Sequence, residues 1–235
     1  PEPRHGHDPL ILRSGDPVTR LRDGDALLAV DVQVDFLPGG RLPVPDGDAV
    51  VGPVNRLMAG FPQVVLTQDW HPADHASFAS QHPGRAPFET VELGYGPQVL
   101  WPDHCVQSSP GAGFAPGLDT ARAGLVLRKG TNREVDSYSA FLEADRRTRT
   151  GLAGCLRERR VRRLFLCGLA TDFCVVWSAL DAVAEGFEVV VVTDAVRGID
   201  LDGSVEAALA RMREAGIALT ESGAILRSGD HTAMP

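Results

Sequence analysis

Six short runs rich in leucine and β-branched residues decide what this chain can fold into. They are Ala26 to Val30, Gln63 to Thr67, Gly124 to Leu127, Arg163 to Cys167, Glu188 to Thr193 and Ile217 to Thr220. Most are nearly continuously apolar rather than alternating, the pattern of strands covered on both faces of a parallel sheet. Helical patterns fall between them, at about Asp46 to Ala59, Leu142 to Arg159, Asp172 to Glu185 and Gly203 to Ala215. Gly186 and Gly216 stand where helix C-caps are expected. This alternation predicts right-handed crossovers and a doubly wound α/β fold: a mostly parallel six-stranded sheet with helices on both faces. No repeat or linker divides the chain. Residues 25–235 are therefore expected to form one domain behind an N-terminal extension, residues 1–24. That extension is either an arm contacting another subunit or disordered.

One connection breaks the rhythm. From Trp70 to Ala123 no strong periodicity appears, and a loop that long inside a compact domain is usually functional. The formal net charge of -8 argues against a nucleic-acid partner held through phosphates, so a small-molecule substrate is expected. No apolar run is long enough to span a bilayer, and the N-terminus lacks the apolar centre of a secretory signal. A cytoplasmic protein with no membrane partner is the expectation, and a homo-oligomer is left open. The arginines at 146, 147, 149, 157, 159, 160, 162 and 163 read as a solvated helix face and helix end.

Ligands of open α/β sheets bind outside the carboxyl ends of the strands. There the sequence delivers Asp31 after the first run, Asp69 and His71 after the second, Lys129 after the third and Cys174 beyond the fourth. Cys174 is expected in the first turn of a helix, where the dipole and a nearby Lys129 would lower its pKa and make it a nucleophile. Asp31 is the natural proton acceptor. Cys167, inside a strand, reads as an inert core thiol. Asp69, His71 and His75 lie within seven residues, and His104 lies further along the same loop. A carboxylate with imidazoles suits one divalent transition metal: zinc first, with iron or manganese as alternatives. His5, His7, His82 and His231 are read as surface residues. Phe36 and Trp101 are aromatic residues of the kind that frame a flat ring, and from the residues alone ordinary loop packing explains them as well.

These residues fall in recognisable segments. They are Val30-Asp31-Val32-Gln33-Val34-Asp35-Phe36, Thr67-Gln68-Asp69-Trp70-His71-Pro72-Ala73-Asp74-His75 and Trp101-Pro102-Asp103-His104-Cys105. Further on come Arg128-Lys129-Gly130, Asp136-Ser137-Tyr138-Ser139-Ala140-Phe141 and Gly168-Leu169-Ala170-Thr171-Asp172-Phe173-Cys174-Val175. From about Asp25 to Ser222 the chain resembles the nicotinamidase/pyrazinamidase branch of the isochorismatase-like cysteine hydrolases, especially the bacterial cytosolic type. The resemblance implies an amidohydrolase converting nicotinamide to nicotinate and ammonia in NAD salvage, active on pyrazinamide too. It implies a triad of Asp31, Lys129 and Cys174 and a thioester intermediate. It also implies a cis Leu169–Ala170 peptide, with an oxyanion hole from the backbone N–H groups of Ala170 and Cys174. Phe36, Trp101, Leu169 and Ala170 would bind substrate. Asp69, His71, His75 and His104 would hold the metal. A related hydrolase acting on another substrate would keep the triad without needing those four ligands.

Overall fold

In a computed structural model, which describes residues 19–226, the chain has ten strands and four α-helices. The strands are β1 (Thr19–Arg20), β2 (Asp25–Val30), β3 (Val64–Asp69), β4 (Thr90–Leu93), β5 (Gly96–Val99), β6 (Leu125–Lys129), β7 (Arg163–Leu169), β8 (Glu188–Arg197), β9 (Ala218–Thr220) and β10 (Ile225–Leu226). The helices are α1 (Val51–Gly60), α2 (Leu152–Glu158), α3 (Val176–Ala184) and α4 (Ser204–Glu214). Six strands form one parallel sheet in the order β6-β3-β2-β7-β8-β9. The six apolar runs of the sequence are these six strands.

The continuous apolar character has a simple origin. Alternate residues of one strand enter opposite cores. Leu27 and Ala29 pack on one face with Leu66, Phe165, Cys167, Val190 and Val192. Ala26, Leu28 and Val30 pack on the other with Val65, Leu164, Leu166, Val189 and Val191. Helix α1 covers the first face through Val54, Leu57 and Met58. Helices α2, α3 and α4 cover the second through Leu152, Leu156, Val176, Ala179, Ala208 and Met212. From β2 the chain steps outward to β3 and β6, then returns to β7 and steps the other way to β8 and β9. The sheet's switch point therefore lies between β2 and β7, where open α/β sheets offer a crevice.

Two expectations change. Leu142 to Gly151 is not helical. The Asp145 carboxylate accepts the backbone N–H groups of Arg147 and Thr148, each at 2.9 Å, and the Thr148 hydroxyl at 2.7 Å. Local side-chain bonding of this kind competes with helix. Arg146 consequently sits at φ +60°, and Leu142 bridges back to Arg149 in antiparallel fashion. Only Leu152–Glu158 of that pattern is helix. Second, Arg163 is buried, not solvated. It pairs bidentately with Asp25 at 2.6 and 2.8 Å, directly across the β2–β7 register. Other members of the arginine group lie at the surface beside acids, as Arg146 does with Asp181 and Arg157 with Glu185.

The long connection contains an antiparallel hairpin, β4–β5, that its sequence did not announce. Ahead of Gly24, β1 pairs in parallel with β10, and Leu21 enters the first core. Residues 1–18, and with them His5 and His7, lie outside the described residues, as does His231. His82 is half-buried, with Nε2 2.8 Å from the Ala76 carbonyl. No helix among the described residues is long and apolar enough to cross a membrane.

Candidate active site

Four neighbouring strands set the order of the reactive groups. Across β6, β3, β2 and β7 the carboxyl ends present Lys129, Asp69, Asp31 and the turn that bears Cys174. Asp69 and Lys129 are register partners on adjacent strands. The Lys129 side chain thus lies 2.6 Å from Asp69 Oδ1, 2.8 Å from Asp31 Oδ2 and 3.4 Å from Cys174 Sγ. It also donates to the Ser137 carbonyl at 2.9 Å. All four groups are buried.

Asp31 is held by Thr67. The Thr67 hydroxyl donates to Oδ1 at 2.6 Å and accepts the Asp31 backbone N–H at 3.1 Å. The other oxygen, Oδ2, has the ammonium beside it but accepts no aligned hydrogen bond. Asp31 also adopts φ +46°, a left-handed conformation that costs a non-glycine residue about 1 kcal/mol or more and clusters at functional sites.

Burial and neighbouring charges compete for the proton affinities here. It raises the Asp31 carboxyl above its ordinary value against the pull of Lys129. For Asp69 burial also raises, but the charges of Lys129 and His71 outweigh it and hold the carboxyl low. Burial would lower the Lys129 amine, yet Asp31 and Asp69 hold it well above its ordinary value, so it stays cationic. The Cys174 thiol departs from expectation. Burial pushes it well above the usual range, and Lys129 offsets this only in part. Its turn, Thr171–Val175, is a π-type turn leading into α3 and is packed into the protein, so the resting group is a thiol. Such a group becomes a nucleophile only beside a base. Burial alone raises the Cys167 thiol, which belongs to the core.

The histidines form a second cluster next to Asp69. The rings of His71 and His75 lie 4.3 Å apart, and those of His71 and His104 5.0 Å apart. Each engages Nδ1: His71 with the Gly130 carbonyl at 2.9 Å, His75 with the Ser77 hydroxyl at 2.8 Å, His104 with the Pro102 carbonyl at 2.8 Å. Fixing Nδ1 in this way leaves Nε2 as the ligand atom. His75 Nε2 is buried without a hydrogen-bond partner, an arrangement a metal would satisfy. Burial lowers His104 to about 4 and lowers His75 as well, so both are neutral, as ligands must be. His71 is raised, because the charge of Asp69 outweighs the effect of burial. Donor atoms of Asp69, His71 and His104 lie close enough to share an ion, as do those of His71, His75 and Asp136. Gly130 is needed beside them: a Cβ there would overlap the His71 imidazole, and its φ is +64°.

Both clusters open on one cleft of about 330 Å³, part of it solvent at the mouth. Phe36, Trp101, Ala170, Asp69, His71, His104 and Cys174 line it. Leu169 does not. Its side chain is fully buried in the first core, and its peptide bond to Ala170 is cis. Asp31, Lys129 and His75 stand behind the wall rather than in it. Sequence reasoning had singled out neither Asp136, Tyr138 and Phe173 nor Leu42 and Ile199, which complete the lining. The first three lie in the segments that carried the resemblance; nothing in the sequence marks the last two.

A parallel sheet with an acid, an amine and a thiol meeting at its switch point defines an α/β enzyme of small-molecule chemistry. The chain belongs to the isochorismatase family: the Isochorismatase domain model matches residues 25–224. It is 50% identical to the nicotinamidase of Acinetobacter baylyi over 201 residues, 86% of this chain and 94% of that protein. Among solved structures, the Acinetobacter baumanii nicotinamidase/pyrazinamidase superposes with a TM-score of 0.85 at 51% identity, covering 86% of this chain and 98% of that one. The pyrazinamidase of Pyrococcus horikoshii, solved in complex with zinc, has a TM-score of 0.69 at 38% identity, covering 84% and 99%.

Proposed function

We propose that this protein is a nicotinamidase: it hydrolyses nicotinamide, and pyrazinamide as well, to the carboxylate and ammonia, feeding NAD salvage. The observation that carries the reading is the contact of one buried ammonium with both a carboxylate and a thiol, 2.8 Å from Asp31 and 3.4 Å from Cys174.

The chemistry follows from the proton affinities. Asp31 Oδ2 takes the Cys174 proton as the sulfur attacks the carboxamide carbon. Lys129 keeps the two in register and lowers the cost of the thiolate. The backbone N–H groups of Ala170 and Cys174 receive the oxyanion. Asp31 returns the proton to the leaving nitrogen, ammonia departs, and an acyl thioester remains on Cys174. Water that has surrendered a proton to the same carboxylate cleaves the thioester, which frees the acid and restores the thiol. Phe36 and Trp101 hold the ring between their faces. Asp69, His71, His75 and His104 would hold one divalent metal, zinc first, with iron or manganese as alternatives. When bound it supplies a Lewis-acid anchor for the ring nitrogen.

The test is ammonia release from nicotinamide by the purified full chain, before and after chelation. Activity falls with the chelator and returns with zinc, iron or manganese. No ammonia at any metal loading would refute the reading and turn attention to other substrates of the family. His71→Ala should lower bound metal and raise KM. Unchanged metal content and KM in that variant would remove the metal from the account.

A further inference from the structure

Asp31, Gln33 and Asp35 alternate along the segment that leaves β2, and only the first has a role so far. The other two are buried polar side chains, 0% and 5% exposed. Gln33 grips the end of β3: its Oε1 accepts the Asp69 backbone N–H at 2.8 Å, and its Nε2 donates to the Asp69 carbonyl at 2.9 Å. The same Nε2 donates to the Ala112 carbonyl at 2.9 Å, so both amide hydrogens and the oxygen are engaged.

Asp35 reaches the opposite side of the cluster. Its Oδ2 accepts the Cys105 backbone N–H at 2.7 Å, and its Oδ1 accepts that of Arg41 at 3.3 Å. Cys105 follows His104, and its carbonyl accepts the His71 backbone N–H at 3.0 Å. Cys105 is held at φ +45°, which its own side chain does not favour. One carboxylate thereby holds the residue that links two of the three histidines. The fit is close: a Cβ at position 111 would overlap the Asp35 carboxylate, so Gly111 is part of the same device.

We propose that Gln33 and Asp35 are positioning residues for the metal cluster, Gln33 through the backbone of Asp69 and Asp35 through Cys105 to His104 and His71. The proposal rests on the metal reading above. Neither residue touches the ion. Each acts by keeping ligand atoms in place before the ion arrives, so the ion does not have to order them.

The experiment is competition for zinc between the full-length apo chain and a chromophoric chelator, with the unfolding temperature of each apo protein measured alongside. Asp35→Ala and Gly111→Ala are each expected to weaken zinc binding by about 10- to 100-fold, the usual effect of losing an outer-shell partner. Asp35→Asn, whose amide oxygen still accepts the Cys105 N–H, should bind close to the native chain. Zinc affinity unchanged in both Asp35→Ala and Gly111→Ala overturns the proposal. So does a loss that Asp35→Asn fails to restore, or one matched by collapse of the apo melt, since Asp35 would then serve the fold alone. A native chain that takes up no zinc at all is a different result: it removes the metal reading, and is seen before any variant is compared.

Discussion

Cys174→Ala is expected to reduce nicotinamide hydrolysis by roughly four to six orders of magnitude in kcat, as removing a nucleophile does elsewhere. The size of the loss follows from the site. Cys174 Sγ is the only sulfur against the ammonium of Lys129 among the described residues, and Cys105 and Cys167 are fully buried in the first core. Alanine removes one buried polar atom without leaving a charge uncompensated, because the resting group is a thiol. The fold should therefore persist, with an unfolding temperature near the native one, and metal content should not change. The readouts are ammonia release, the melting curve and metal per chain on the same preparation. Residual turnover within about a hundredfold of native, with no contaminating enzyme, would take the nucleophile away from Cys174.

Asp31→Asn belongs beside it. The amide keeps the Thr67 contact but cannot accept the thiol proton. With the thiol held high by burial, the loss should approach that of Cys174→Ala. A thiol lowered by the helix dipole, as the sequence suggested, would instead ionise without help and retain most of its activity. The two variants together separate a thiol that needs its base from one that does not.

That contrast marks where the sequence was legible. Strand positions were, because a doubly covered strand must be apolar at every residue, and the runs around Leu28, Leu66 and Leu166 show it. The edge carrying Asp31, Asp69, Lys129 and Cys174 was legible for the same reason: once strands are placed, their carboxyl ends are known. Burial was not. The direction of the Cys174 shift depends on what packs over the turn, and Arg163 finds Asp25 only when β2 and β7 are in register. The turn at Asp145 lay hidden in a helix-like pattern, because a single carboxylate outbid the periodicity. Leu42 and Ile199 reach the cleft from distant loops, and no local signal encodes that.

Lys129→Met should produce the largest change in stability, because it removes the one cation between two buried carboxylates. Lys129 lies 2.8 Å from Asp31 and 2.6 Å from Asp69, and its side chain is wholly enclosed. Breaking a buried pair costs about 3–5 kcal/mol when the partner charge is left behind. Here the charges of two carboxylates are left facing each other, so Asp31, already raised by burial, takes up a proton to relieve the repulsion. The base is then lost along with the stability, and kcat should fall with it. Denaturant unfolding and ammonia release on one preparation read both effects. The double variant Lys129→Met with Asp31→Asn separates them. Neutralising Asp31 removes the repulsion and should recover a large part of the lost stability, while activity stays absent. A single variant less than about 1 kcal/mol weaker than native would mean that the carboxylates do not depend on Lys129. A double variant no more stable than the single one would mean that the cost lies in packing around the lysine stem and not in its charge.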